Sequence, residues 1–292
     1  MRRRAWVVVL VVAFLGTLAA CAQPLLPTDP DITVSGDAGG TPTLTYVTPI
    51  NVDRTYRRTV WPGTGPALVD GGSVLLRYWV EDGSTATVVS ENYSTSPVPQ
   101  KLTKGDLGAD LYDTLKGQNV GARLLQVTPA GDDPKESYPA VTVVDVLPTR
   151  ADGPAVAPKD GLPAVTLGAD GAPTITPTGT DPPTSLVIQP LMHGSGRQVE
   201  KTDVVTVQYA GFSWATGEPV DSTWERGQPS SFALSDVPAF AEGLAEQPTG
   251  SQVMLVVPPS YDLGATQSES LTGQTLVFVI DILASGPQGV TR

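Results

Sequence analysis

The sequence predicts an α+β fold built twice, with two antiparallel sheets each wrapped on one short helix. Three observations carry that expectation. The 292 residues include 30 glycines and 28 prolines, an excess that disfavours long helices and favours short strands and tight turns. Apolar and polar residues alternate with a period of two. Short motifs also recur in the same order. Pro42-Thr43-Leu44-Thr45 returns as Pro173-Thr174-Ile175-Thr176, Gly63-Thr64-Gly65 as Gly194-Ser195-Gly196, and Val74-Leu75-Leu76-Arg77-Tyr78 as Val205-Thr206-Val207-Gln208-Tyr209, each 131 residues on. Val144-Asp145-Val146-Leu147 returns as Ile280-Asp281-Ile282-Leu283, 136 residues on. A fixed order with small insertions is a duplicated unit.

Residues 1–20 read as an export signal. Arg2, Arg3 and Arg4 precede the uncharged apolar stretch Ala5–Ala20, which is short for a membrane span. Leu18-Ala19-Ala20-Cys21 resembles a bacterial lipobox, which implies that Cys21, the only cysteine, is lipidated and becomes the first mature residue. Two acyl chains on that thiol suffice for stable anchoring, so the expected location is extracytoplasmic and lipid-anchored to the cell membrane. Residues 21–32, with Pro24, Pro27 and Pro30, read as a tether. The first unit then spans 33–149, a linker rich in Pro, Gly and Ala spans 150–166, and the second unit spans 167–286.

The second unit shows its elements best. Val205, Val207 and Tyr209 share one face of a strand, with Thr206 and Gln208 on the other. Met254–Val257 is a strand stopped by Pro258-Pro259, and Leu276, Phe278, Ile280 and Ile282 share a face of the last strand. One short helix lies between. Asp236 is its expected cap, Pro238 fits its first turn, and Phe240 and Leu244 meet at i, i+4.

Composition excludes several activities. One cysteine and one histidine cannot form an intrachain disulfide, a Cys/His zinc site or a Cys–His catalytic pair. A net charge of −12 supplies no basic stripe for nucleic acid. His193, beside Gly194, reads as a turn residue. Six lysines against twelve arginines, with abundant Ala, Val, Gly and Pro, point to a GC-rich bacterial source, by expectation an actinobacterium.

Over residues 184–285 the chain resembles the FKBP-type peptidyl-prolyl cis-trans isomerases. The stretches that carry the resemblance are His193-Gly194-Ser195-Gly196, Val205 to Gly211, Val220-Asp221-Ser222-Thr223-Trp224-Glu225-Arg226-Gly227-Gln228-Pro229, Phe240-Ala241-Glu242-Gly243-Leu244, Pro258-Pro259-Ser260-Tyr261 and Thr275-Leu276-Val277-Phe278. The resemblance implies a sheet of five or six strands on a helix, with a proline-binding pocket between them, no cofactor and no metal. It implies that Tyr209 lines the pocket wall, that Asp221 is the pocket carboxylate paired with Arg226, and that the Val237 N–H holds a ligand carbonyl. Phe240 then forms the floor and Phe278 lies on the last strand, with Val220, Phe232, Tyr261 and Leu263 completing the substrate-binding surface. This chain departs from the family pattern at Val220 (usually Phe), Ser230 (often aromatic), Phe240 (usually Trp) and Leu263 (usually a hydrogen-bonding Tyr), so the implied pocket is weakened. In isolation, these aromatics would read as core residues and Asp221 with Arg226 as a surface ion pair.

In the first unit Tyr78 keeps its place, Ser90-Glu91 falls at the carboxylate position, Leu111 falls where Phe240 sits, and Val141-Thr142-Val143-Val144 offers no ring in place of Phe278. The expectation is a degenerate copy beside an active one. The implied partners are proline-containing proteins and, through Cys21, a membrane. A second reading makes both units non-catalytic protein-binding or chaperone modules. An immunoglobulin-like module would explain the strands but not the short helix or the Asp221–Arg226 spacing.

Overall fold

A computed structural model describes residues 29–131, 137–264 and 271–288. The signal stretch and Cys21 lie outside the described residues. Among the described residues, no helix is long and apolar enough to cross a membrane.

Each half holds one six-stranded antiparallel sheet. In the first half these strands are β3 (Tyr56–Trp61), β4 (Ser73–Asp82), β5 (Thr87–Glu91), β6 (Pro99–Lys101), β7 (Arg123–Thr128) and β8 (Ala140–Leu147), in the order β3-β7-β8-β4-β5, with β6 also on β4. The second half repeats this with β11 (Val187–Met192), β12 (Asp203–Ser213), β13 (Pro219–Ser222), β14 (Ser230–Ala233), β15 (Gln252–Val257) and β16 (Leu276–Pro287), in the order β11-β15-β16-β12-β13, with β14 on β12. A two-stranded hairpin precedes each sheet: β1 (Thr33–Ser35) with β2 (Thr43–Thr45), and β9 (Ala164–Leu167) with β10 (Pro173–Thr176). The matching strand orders show that the motif offset reflects a repeated topology. In both sheets the last strand made is central.

Period two decides what each face buries. On the inner face of the second sheet, Val205, Val207, Val253, Leu255, Leu276, Phe278, Ile280 and Ile282 form one core with Phe240 and Leu244 of α3 (Pro238–Leu244). On the outer face, Met254, Val256, Val277 and Val279 pack with Phe212 and Trp214 under Val165 and Ile175 of the β9–β10 hairpin. In the first half, α1 (Lys104–Leu115) covers the inner face with Tyr112 and Leu115.

Three local features differ from the expectation. The residue capping α3 is Val237, with no side-chain cap; Asp236 belongs to the preceding 3-10 turn Leu234–Asp236, which already closes the chain onto the helix. Pro238 does stand in the first turn of α3. A second helix, α2 (Thr223–Arg226), breaks the one-helix pattern. The Ser222 hydroxyl caps it by accepting from the Glu225 N–H, and Gly227 ends it with φ 73°. Ile32, at the end of the expected tether, is buried in the first half with Leu125 and Val143.

The halves touch. Leu75 and Leu147 pack on Leu283 and Ala284. The Arg77 guanidinium donates to the carbonyls of Asn92, Tyr93 and Thr95, shaping a loop whose Pro97 carbonyl accepts from the Thr206 hydroxyl at 2.7 Å. Residues 150–156, within the expected linker, run along the second sheet. The Ala151 N–H donates to Asp281 at 2.9 Å, and Ala155 bridges to Met192.

Burial pushes the Asp281 carboxyl up to about 6, against the pull of its Ala151 and Gln252 hydrogen bonds. The folded state therefore holds a proton that the unfolded chain releases near pH 4. The associated stability is complete below that pH and is lost as pH rises through about 6. Two pKa units represent roughly 3 kcal/mol. Asp281→Asn keeps an acceptor for Ala151 without the charge. We expect it to stabilise the protein by about 1–2 kcal/mol above pH 7 and to make no difference near pH 4. Urea unfolding across pH 4–8 measures this; equal slopes against pH for both proteins would contradict it.

Candidate functional site

The site is built on the inner face at one end of the second sheet. Tyr209 on β12 faces the α3 side, and the Phe278 ring lies 6.1 Å from it across the sheet. Phe240 rises from α3 to meet both, at 6.1 Å from Tyr209 and 5.2 Å from Phe278 in edge-on geometry. Phe232 on β14 adds a fourth ring 6.1 Å from Phe240. Phe240 and Phe278 are buried, whereas Tyr209, Val220, Phe232, Val237, Tyr261 and Leu263 are half-buried around them and packed on the same core. The result is an aromatic floor with a mixed, accessible rim.

Gly211 makes that floor possible. It pairs with Phe278 across β12 and β16, and a Cβ there would come within 2.6 Å of the Phe278 ring. Gly211→Ala therefore drives the ring off its seat. We expect a loss of about 1–3 kcal/mol in stability, as for other overpacked sites, together with weaker binding of any ligand resting on Phe278. Comparing unfolding midpoints with ligand affinity checks both; wild-type values would contradict the assignment.

The polar rim is a three-way contact. Asp221, on β13 beside Gly211, accepts from the Tyr209 hydroxyl and from the Arg226 guanidinium. Arg226 also donates to the Tyr209 oxygen at 3.0 Å, with its guanidinium 5.4 Å from the Tyr209 ring centre. The short helix α2 delivers Arg226 to this place. It is anchored by Thr223, whose hydroxyl accepts from the Tyr209 N–H at 2.8 Å and donates to the Tyr209 carbonyl at 3.1 Å. Burial, reinforced by the bond to Asp221, holds the Tyr209 phenol above its usual range, so it stays a neutral donor at physiological pH. Tyr261, in the 3-10 turn Pro259–Tyr261, donates to Glu242 at 2.6 Å, tying the rim to α3.

All the pocket residues expected from sequence are thus in one place. Thr223 and Gly211 were not singled out by sequence. Thr223 follows the strand at the one step where its hydroxyl can cap an open backbone pair, a signal only the pairing register reveals. The first half lacks the arrangement. Val80 replaces Gly211, and opposite it stand Ser90 and Thr142 where the second half has Asp221 and Phe278. Leu107, Leu111, Tyr112 and Leu115 fill the space against Tyr78.

Comparison with known proteins bears on the same region. A family model described as FKBP-type peptidyl-prolyl cis-trans isomerase matches residues 195–283. The chain is 37% identical over 105 residues to a probable FK506-binding protein of Corynebacterium glutamicum, a match covering 35% of this chain and 89% of that protein. It is 30% identical over 118 residues to an FK506-binding protein of Streptomyces anulatus, covering 38% and 95%. The crystal structure of FkpA from Escherichia coli is similar at 27% identity and a TM-score of 0.33, over 44% of this chain and 53% of that one.

Proposed function

This chain belongs to the FKBP-type peptidyl-prolyl cis-trans isomerase family, and we propose that its second half turns X–Pro bonds of proteins outside the cytoplasmic membrane, over the floor formed by Phe240 and Phe278. The observation that carries this reading is the convergence of Tyr209, Asp221, Arg226, Phe240 and Phe278, far apart in sequence, on one surface.

Rotation about a prolyl amide is slow because the planar form has C–N resonance, with a barrier of about 18–20 kcal/mol. The planar amide separates more charge than the twisted one. An apolar surface that strips water from the bond therefore disfavours the ground state more than the transition state. Phe240, Phe278 and Phe232 supply that surface. The Val237 N–H, which donates to the Leu234 carbonyl at 3.3 Å in this structure, is the proposed donor to a substrate carbonyl in exchange for that long bond. Asp221, held by Tyr209 and Arg226, gives the rim a fixed acceptor. No proton transfer or nucleophile is needed.

The test is a proline-limited peptide assay on residues 22–292. A rate above buffer supports the enzyme. A rate equal to buffer would leave a non-catalytic binding module with the same fold. The first half, with Leu111 and Thr142 in place of the Phe240 and Phe278 rings, is proposed to be a spacer or binding copy without isomerase activity. Anchoring through Cys21 is likewise a proposal. Cys21→Ser should release the protein from the membrane fraction, and retention would exclude it.

A further inference from the structure

The outer face of the second sheet carries a polar row that the prolyl site does not use. Gln208 on β12 and Gln252 on β15 both stand opposite Asp281 on β16. The first half has the same row with other residues: Arg77 and Arg123 opposite Asp145. There the row is closed. Fully buried Arg123 donates twice to Asp145 at 2.6 Å, and to the carbonyls of Gly36, Asp37 and Gly40 in the β1–β2 turn. One guanidinium thus joins a carboxylate to a hairpin turn.

The second half keeps the carboxylate and the turn, but no guanidinium stands in its row; Arg150 comes instead from the segment between the halves, with a guanidinium nitrogen 3.6 Å from where a Cβ on Gly171 would stand. In the β9–β10 turn the Gly171 N–H donates to the Gly168 carbonyl at 3.0 Å, as Gly40 does to Asp37 in the first half. Gln252 replaces the arginine and donates to Asp281 at 2.7 Å. A cavity of about 790 Å³ opens between this row, the turn at 167–171 and the first half. Gln208 lines it, 7% exposed, and its Oε1 has no hydrogen-bond partner among the described residues. A buried acceptor without a donor is costly, and it marks a place where a donor belongs. Among the described residues, Asp152, Asp170 and Asp281 line the cavity against one cation, Arg150, and Met192 and Trp224 add apolar wall.

We propose that this cleft is a second polypeptide-binding site, which takes an arginine side chain of a bound protein and seats its guanidinium as Arg123 is seated in the first half. Arginine fits better than lysine because its planar fork serves a carboxylate, the Gln208 oxygen and turn carbonyls at once. Its apolar stem suits the Met192 and Trp224 wall. The site lies on the opposite face of the sheet from Phe240 and Phe278, so it stands whether or not the prolyl site is catalytic.

The experiment titrates a fluorescein-labelled, proline-free heptapeptide with one central arginine into residues 22–292, followed by anisotropy. Matched peptides carry lysine or the neutral isostere citrulline. The arginine peptide should bind at least about tenfold more tightly than either. Gln252→Arg supplies a guanidinium from within, as the first half does, and should weaken the peptide at least tenfold while leaving the prolyl isomerisation rate unchanged. Gln208→Leu, which removes the open acceptor, should weaken it too. Equal affinity for the three peptides, or indifference to both substitutions, would overturn the proposal. So would binding that emerges only with Arg150→Ala, since the chain's own Arg150 would then be the occupant.

Discussion

Arg123→Met destabilises the first half by about 3–5 kcal/mol, the scale for removing one partner of a buried ion pair. Arg123 has no exposed surface and Asp145 is 4% exposed, so the carboxylate left behind has little water to turn to. The loss is larger than one pair, because the carbonyls of Gly36, Asp37 and Gly40 lose their donor in the same step. The guanidinium also lies 4.5 Å from the Trp61 ring centre, a contact methionine replaces only in part. The β1–β2 hairpin should open first. Hydrogen exchange over residues 33–45 should rise well before the rest of the first half unfolds. The double variant Arg123→Met with Asp145→Leu should recover most of the loss, since apolar replacement of a whole buried pair is often neutral or better. Denaturant unfolding measures both. A single-variant loss under about 1 kcal/mol would mean that the pair is hydrated and the account wrong.

Phe240→Ala has the largest expected effect on the second half. The ring is 3% exposed and touches Tyr209, Phe232 and Phe278. Truncation removes about 3–5 kcal/mol of stability, by transfer and cavity terms together. Prolyl isomerisation should fall at least about tenfold, equivalent to 1.4 kcal/mol in the barrier. Phe240→Leu separates the two effects. It keeps most of the volume, so stability should drop by less than about 2 kcal/mol, while the flat face under the substrate is still lost. Activity that follows stability through both variants would make Phe240 a core residue only. Activity lost in a stable Phe240→Leu protein would make it the floor.

Much of this was legible in the sequence, for physical reasons that can be named. Val205, Val207 and Tyr209 alternate with Thr206 and Gln208 because one face of β12 meets α3 and the other does not. The Asp221–Arg226 pair was legible only through the family resemblance, and the one-turn helix that brings the guanidinium back to the carboxylate was not expected. The helix cap was misread. Asp236 is a good cap by residue type, but the 3-10 turn ahead of it fixes the chain so that Val237 occupies the boundary. Burial of Ile32 and the course of residues 150–156 depend on partners far along the chain, Leu125 and Asp281 among them, and neither composition nor periodicity records those. The row at Gln208, Gln252 and Asp281 was hidden for the same reason, since only strand register reveals who stands opposite whom.

The central position of β16 has a consequence for biogenesis. It pairs on one side with β15 and on the other with β12, so until it arrives the second sheet exists as two unjoined edges. A ribosome makes this strand last. The first half has its own closing strand by residue 147 and can fold while the second is still being synthesised. A nonsense codon after residue 147 and before Leu276 therefore yields a finished first half trailing an unfinished tail, and no prolyl site at all.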